Sequence, residues 1–164
     1  MPERMIILLV EDRDDDILLV RRAFAAARVD TPLYVVRDGE TAIEYLLGVG
    51  KYSRREEFPL PNLVLLDLKM PKMGGIEVLR WIRQQPQLKA LRVIVLTSSE
   101  DIFDVNQAYE AGANSFLVKP LEFINYPAMM RTLSTFWLRD SKAPVVERPS
   151  RTQTPTHPGT EAME

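Results

Sequence analysis

The chain has 164 residues, 46% of them hydrophobic and 27% charged, with a formal net charge of −2, which fits one soluble domain with room for a core and gives no sign of a nucleic-acid surface or a polybasic membrane anchor. It has no Cys, which excludes disulfides, thiolate chemistry and Cys-based zinc sites, and its one His, His157, stands in a polar tail, which excludes a His triad or His metal cluster. No signal-peptide pattern follows Met1 and no apolar run approaches the roughly 20 residues that span a bilayer, so the expected compartment is the cytoplasm.

In chain order, the first apolar run is "MIILLV" (5–10), and it leads into "EDRDDD". A helix follows over Asp15 to Arg28, with Ile17, Val20, Ala23, Phe24 and Ala27 on one face. "LYVV" (33–36) precedes the turn "RDGE" and a second helix from about Glu40 to Leu47. After the long stretch "LGVGKYSRREEFPLPN" comes "LVLL" (63–66), then Asp67, then a helix over Ile76 to Arg83 carrying Val78, Leu79 and Ile82. "VIVL" (93–96) leads through Thr97-Ser98-Ser99 to a helix over Asp101 to Ala111 that stops at Gly112. "FLV" (116–118) ends at Lys119-Pro120, and the last helix runs from about Asn125 to Arg139, with Pro127 in its first turn.

Short Val/Ile/Leu runs without polar alternation read as strands buried on both faces. Strand–helix pairs repeated five times predict an α/β domain with a parallel sheet covered on both sides. Residues 1–139 are expected to form this domain; from about Asp140 four Pro and no aromatic predict a disordered tail, 140–164.

Five acids in six positions, Glu11 to Asp16, admit three readings. Acids at a helix start complement the dipole and cap free N–H groups. An EF-hand loop would need Gly and a bidentate Glu where Ile17 and Ala23 stand, and is set aside. The third reading is a divalent-metal site completed by acids from elsewhere. Ligands of an open parallel sheet bind beyond the carboxyl ends of its strands, near the switch point. Glu11-Asp12, Asp67, Thr97 and Lys119-Pro120 all follow strands at that end.

This set resembles the signature of the CheY-like receiver domain of two-component response regulators, over about residues 5–139. The resemblance implies a doubly wound (βα)5 flavodoxin-like fold with sheet order 2-1-3-4-5, in which the first and third strands are neighbours and Asp12 faces Asp67. It implies Mg2+ held by Asp12 and Asp67 directly, by Glu11 through water, and by the Lys69 backbone carbonyl. Asp67 is then the phosphoacceptor, taking a phosphoryl group from a partner histidine, with Lys119 and the Thr97 hydroxyl on the phosphoryl oxygens and the small Ser98 leaving room. Thr97 and Phe116 form the switch pair. Asp14, Asp15 and Asp16 belong to the first turn of the first helix. Lys69 and Ser99 occupy positions that tune phosphate lifetime in the family, and Gly74 replaces an acid that commonly caps the third helix. The Lys119–Pro120 bond is expected cis.

With no output domain following, a single-domain regulator is expected, a phosphoacceptor signalling protein and not an enzyme. The long stretch before the third strand and the ending "TFWLRD" of the fifth helix resemble the regulators paired with bacterial phytochrome kinases, which implies a sensor histidine kinase as partner and dimerisation through the fourth helix, fifth strand and fifth helix. Tyr126, Met130, Leu133 and Trp137 form the core stripe of that helix, leaving Phe123, Met129 and Phe136 as the expected interface. The charges of the long stretch, opposite the acid cluster, are expected to be a partner surface or solvated. Two other classes compete with this reading. A haloacid-dehalogenase phosphatase needs an acid where Lys69 stands, and an unphosphorylated scaffold predicts gaps in the acid–Thr–Lys set.

Overall fold

The computed structural model describes residues 5–140. Five parallel strands, β1 (Ile7–Val10), β2 (Leu33–Val36), β3 (Leu63–Leu66), β4 (Arg92–Thr97) and β5 (Ser115–Val118), form one sheet in the order β2-β1-β3-β4-β5. Five helices alternate with them: α1 (Asp14–Ala26), α2 (Gly39–Leu47), α3 (Gly75–Gln84), α4 (Ile102–Glu110) and α5 (Tyr126–Leu133). The order is the one the resemblance implies. The Pro-containing tail lies outside the described residues apart from Asp140.

The central strands lack polar alternation because each face has its own core. Leu8, Val10, Val64 and Leu66 pack with Val78, Leu79 and Ile82 of α3 and Ala42, Tyr45 and Leu46 of α2. Ile7, Leu9, Leu63, Leu65, Ile94 and Leu96 pack with Val20, Ala23 and Phe24 of α1 and Tyr126, Met130 and Leu133 of α5. Adjacent residues thus point to opposite layers, and both layers are apolar. The edge strand β5 is only half-buried throughout.

Capping follows the local chemistry. Asp38 accepts from the Thr41 N–H at 2.7 Å to start α2, and Gly48, at φ 68°, ends it. At α3 the cap is Gly74, with no side-chain hydrogen bond, so the lost acid does leave that end uncapped. Gly75 has a different reason: a Cβ there would stand 2.2 Å from the Asp67 carbonyl oxygen, so the start of α3 presses directly on the backbone beneath the acid cluster.

Three expectations need correction. No peptide bond among the described residues is cis, so Lys119–Pro120 is trans; trans is the ground preference even before Pro, by about 0.5–1 kcal/mol, and Lys119 reaches the acids from it. The fifth helix does not stay α-helical to Arg139: past Leu133 it widens into a π-helix over Ser134–Asp140, where the buried Arg92 donates to the Trp137 carbonyl at 2.8 Å. The long stretch before β3 is not only a solvated or partner-facing surface. Its Tyr52 and Phe58 pack on Tyr45, with ring centroids 5.0–6.1 Å apart, and Arg55 donates to the Tyr45 and Leu46 carbonyls that end α2.

Candidate functional site

The register of the sheet delivers the site. Val10 pairs with Leu66, so Glu11 and Asp67 leave adjacent strands side by side; the Asp67 N–H donates to the Val10 carbonyl at 3.1 Å. Thr97 pairs with Val118, and the Lys119 N–H donates to the Thr97 carbonyl at 2.7 Å. The four side chains are polar yet buried: Glu11 is 1% exposed, Asp67 4%, Thr97 0% and Lys119 7%. Groups this polar are kept out of water only where they satisfy one another.

The Lys119 ammonium is the hub. Its Nζ lies 2.7 Å from Glu11 Oε2, 3.2 Å from Asp67 Oδ2 and 3.1 Å from Asp16 Oδ2. Burial by itself would lower the Lys119 pKa, but Glu11, Asp67 and Asp16 together drive it up. Burial foremost, and then the charge of Asp67, pushes the Glu11 carboxyl up to about 7 against the hydrogen bond from Lys119. One ammonium does not balance the carboxylates around it.

Glu11, Asp12 and Asp67 each offer an oxygen within 4.8 Å of the others. Asp12 Oδ1 is buried and has no hydrogen-bond partner among the described residues. A buried orphan oxygen facing two further carboxylates is the donor set of a hard divalent cation. The Lys69 N–H lies 3.3 Å from Asp67 Oδ1, so its backbone borders the same acids.

The structure therefore brings Glu11, Asp12, Asp67, Thr97 and Lys119 to one strand end, with Lys69 beside them. Phe116 sits half-buried on β5 against Leu68, Val95 and Ala108. Phe123 and Phe136 are exposed, whereas Met129, expected off the core face, is half-buried against the core.

Two acids were missed by reading the sequence. Asp14 and Asp15 are exposed first-turn residues, as expected, but Asp16 is drawn inward to Lys119. It stands four residues before Val20 and seven before Ala23, on the buried stripe of α1, and that spacing was the available signal. Asp104 likewise lies four residues before Ala108, the buried residue of α4. Its carboxylate accepts from the Ser99 hydroxyl at 2.5 Å and pairs with the Lys69 ammonium at 3.3 Å; these contacts, Ser99 foremost, hold its pKa below the usual range. The Lys69 side chain is thus paired with α4, not free over the acids.

The comparisons with known proteins agree with this geometry. Residues 7–131 match the response regulator receiver domain. The response regulator Rcp1 of Synechocystis is 40% identical over 139 residues, covering 85% of this chain and 92% of that protein. The crystal structure of its Mn2+-bound form superposes with a TM-score of 0.75 at 39% identity, covering 85% of this chain and 99% of the crystallised chain. The phosphorylated cyanobacterial phytochrome response regulator RcpA gives a TM-score of 0.79 at 34% identity over 86% of this chain and 99% of its own. A response regulator in red-light signalling of R. palustris gives 0.82 at 36% identity over 85% of this chain and 98% of its own. No helix among the described residues is long and apolar enough to cross a membrane. A buried carboxylate at the third strand end, acids beside it, and a Lys and a Thr from the next two strands, in a chain matched over its folded length, place this protein in the response regulator receiver domain family.

Proposed function

We propose that Asp67 is the phosphoacceptor of this response regulator, and that its donor is a sensor histidine kinase of the phytochrome type. The observation that carries the reading is the placement of the Asp67 carboxylate, buried, 3.2 Å from Lys119 and grouped with Glu11 and Asp12. The donor assignment rests on the relatives, one a phytochrome response regulator and another from red-light signalling.

An Asp67 carboxylate oxygen bonds to phosphorus as the P–N bond of the donor phosphohistidine breaks; the imidazole leaves with the electron pair and takes a proton. Lys119, already 3.2 Å from Asp67, meets one phosphoryl oxygen, and the Thr97 hydroxyl, at the end of the next strand, meets another. A divalent cation, which we take to be Mg2+, would be held by Glu11, Asp12, Asp67 and the Lys69 carbonyl, and when bound it offsets the charge gathered there. The turn of Thr97 toward the phosphoryl group frees space for Phe116, whose ring lies near Ala108 of α4, and so carries the change to the α4–β5–α5 face. On that face Phe123, Met129 and Phe136 make a homodimer contact. The protein works in the cytoplasm, without nucleic-acid contact, as a signalling partner and not as an enzyme acting on metabolites.

The test is Mg2+-dependent labelling by acetyl phosphate, read by intact mass. The P–O bond to the acetyl group breaks, acetate leaves, and one phosphoryl adduct is expected on the wild-type chain and none on Asp67→Asn. An adduct that persists on Asp67→Asn overturns the assignment. A phytochrome-type kinase that transfers phosphate to wild type and not to this variant identifies the donor class; failure of transfer with intact acetyl phosphate labelling removes the donor class alone.

A further inference from the structure

Asp104 joins two loops that flank the phosphoacceptor. Lys69, in the loop after β3, places its ammonium 3.3 Å from Asp104 Oδ2. Ser99, in the loop after β4, donates its hydroxyl to the same oxygen at 2.5 Å. Each partner has its backbone N–H at the site itself: Lys69 lies 3.3 Å from Asp67 Oδ1, and Ser99 lies 3.5 Å from Thr97 Oγ1. The Asp104 side chain is only 16% exposed while that of Lys69 is 67% exposed, so the carboxylate sits within the fold and the lysine stem lies mostly in solvent.

We propose that Asp104 is a positioning residue that competes with the phosphoryl group on Asp67 for the Lys69 ammonium, holding it and Ser99 against the first turn of α4 until phosphorylation draws Lys69 away. The inference rests on the reading of Asp67 as the phosphoacceptor. Phosphorylation replaces the single charge of a carboxylate with close to two charges on oxygens that extend farther from β3. A compact ammonium on a flexible stem follows the stronger charge. Asp104 then loses one of its two partners, and the first turn of α4, which carries the exposed Ile102 and Phe103, keeps only its Ser99 tie to the site. The Lys69–Asp104 link from site to α4 is ionic and separate from the Thr97–Phe116 pair.

The consequence is a defined direction. While Asp104 holds Lys69, the ammonium is withheld from an incoming phosphodonor; neutralising Asp104 releases it. Initial rates of labelling by acetyl phosphate with Mg2+ are measured on the full chain for wild type, Asp104→Asn, Lys69→Ala and the double variant. Asp104→Asn should be labelled roughly threefold faster than wild type, about the worth of one exposed ion pair. In the Lys69→Ala background the same substitution should bring little further change, and Asp104→Glu should restore the wild-type rate. A merely structural Asp104 would act equally in both backgrounds. A rate for Asp104→Asn at or below wild type overturns the proposal, as does an equal gain in the Lys69→Ala background. A folded wild-type chain that takes no phosphoryl group at all overturns the phosphoacceptor reading, and this inference with it.

Discussion

Lys119 and Glu11, 108 residues apart in sequence, meet at 2.7 Å in a site where neither side chain is more than 5% exposed. The pair fixes the carboxyl ends of β1 and β5 across the whole width of β3 and β4. It also sets the site's charge, because the same ammonium serves Asp67 and Asp16.

Removing that ammonium while keeping its stem isolates the effect. Lys119→Met leaves Glu11 and Asp67 as buried carboxylates facing each other, and breaking a buried pair costs on the order of 3 kcal/mol. The urea midpoint of the metal-free variant should fall accordingly. Mg2+, or acid sufficient to protonate the carboxylates, should recover much of the loss. A midpoint equal to wild type in the absence of metal would show that the pair carries no stability.

Asp16 and Asp15 separate site from surface. Asp16 touches Lys119, and Arg13 Nε stands 3.6 Å from it at the rim; Asp15 is exposed. Asp16→Asn removes a negative charge from beside the cation site and should weaken Mg2+ binding by a factor of about 2–3, an effect of the size expected of an outer-shell partner with part solvent screening. Asp12→Asn should weaken it by about tenfold or more, since it deletes a ligand. Asp15→Asn should leave titration calorimetry unchanged. Equal effects at residues 15 and 16 would return Asp16 to the helix start.

The difference between those two acids shows what was legible in the sequence. Strand positions were readable because β1, β3 and β4 are buried on both faces and so carry unbroken Val/Ile/Leu runs. The grouping of the five candidate residues was readable because each closes a strand or stands within two residues after one, and a parallel sheet gathers those ends together. Asp16 and Asp104 were not, because their roles depend on which way a helix turns over the sheet, and an acid in a first turn already has a sufficient local reason to be there. Arg55 was hidden for a similar cause: in a run of charges nothing local distinguishes the one that ends a helix from those left in water. The widening past Leu133 leaves no mark in an apolar spacing that still reads as helical.

Glu11 gives a pH signature with a defined sign. Its carboxyl titrates near 7 in the folded protein against an ordinary 4.5. Between those values the folded state holds a proton that the unfolded chain has released, so its contribution to stability is greatest at the acid end and is lost as pH rises toward about 7. Divalent-cation binding requires the carboxylate and runs the other way. The stabilisation by Mg2+ should therefore grow across this window, and Glu11→Gln should flatten both trends. Thermal unfolding with EDTA and with Mg2+, compared between wild type and the variant, checks it; a Mg2+ effect independent of pH in wild type would contradict it.

The proposed dimer contact can be tested at one side chain. Phe136 is 57% exposed and stacks edge-on against Trp137 at 4.8 Å, lining a shallow apolar groove with Leu117 of β5 and Met129 of α5. Tyr126, Met130 and Leu133 on the opposite stripe are buried, so the fold does not require Phe136. An aromatic side chain left in water beside a half-buried edge strand is the kind of surface that a second copy covers. Truncating it in a desolvated interface costs on the order of 2 kcal/mol, and a two-fold dimer loses it twice. Phe136→Ala should therefore shift the protein toward monomer in sedimentation at micromolar concentration, with labelling of Asp67 and the unfolding midpoint of the monomer unchanged. Phe123→Ala should shift it less, because that ring lies against Tyr126 at 6.3 Å and away from the groove. A wild-type chain that sediments as a monomer with and without phosphorylation would remove the dimer and leave Phe136 as an exposed ring without a partner copy.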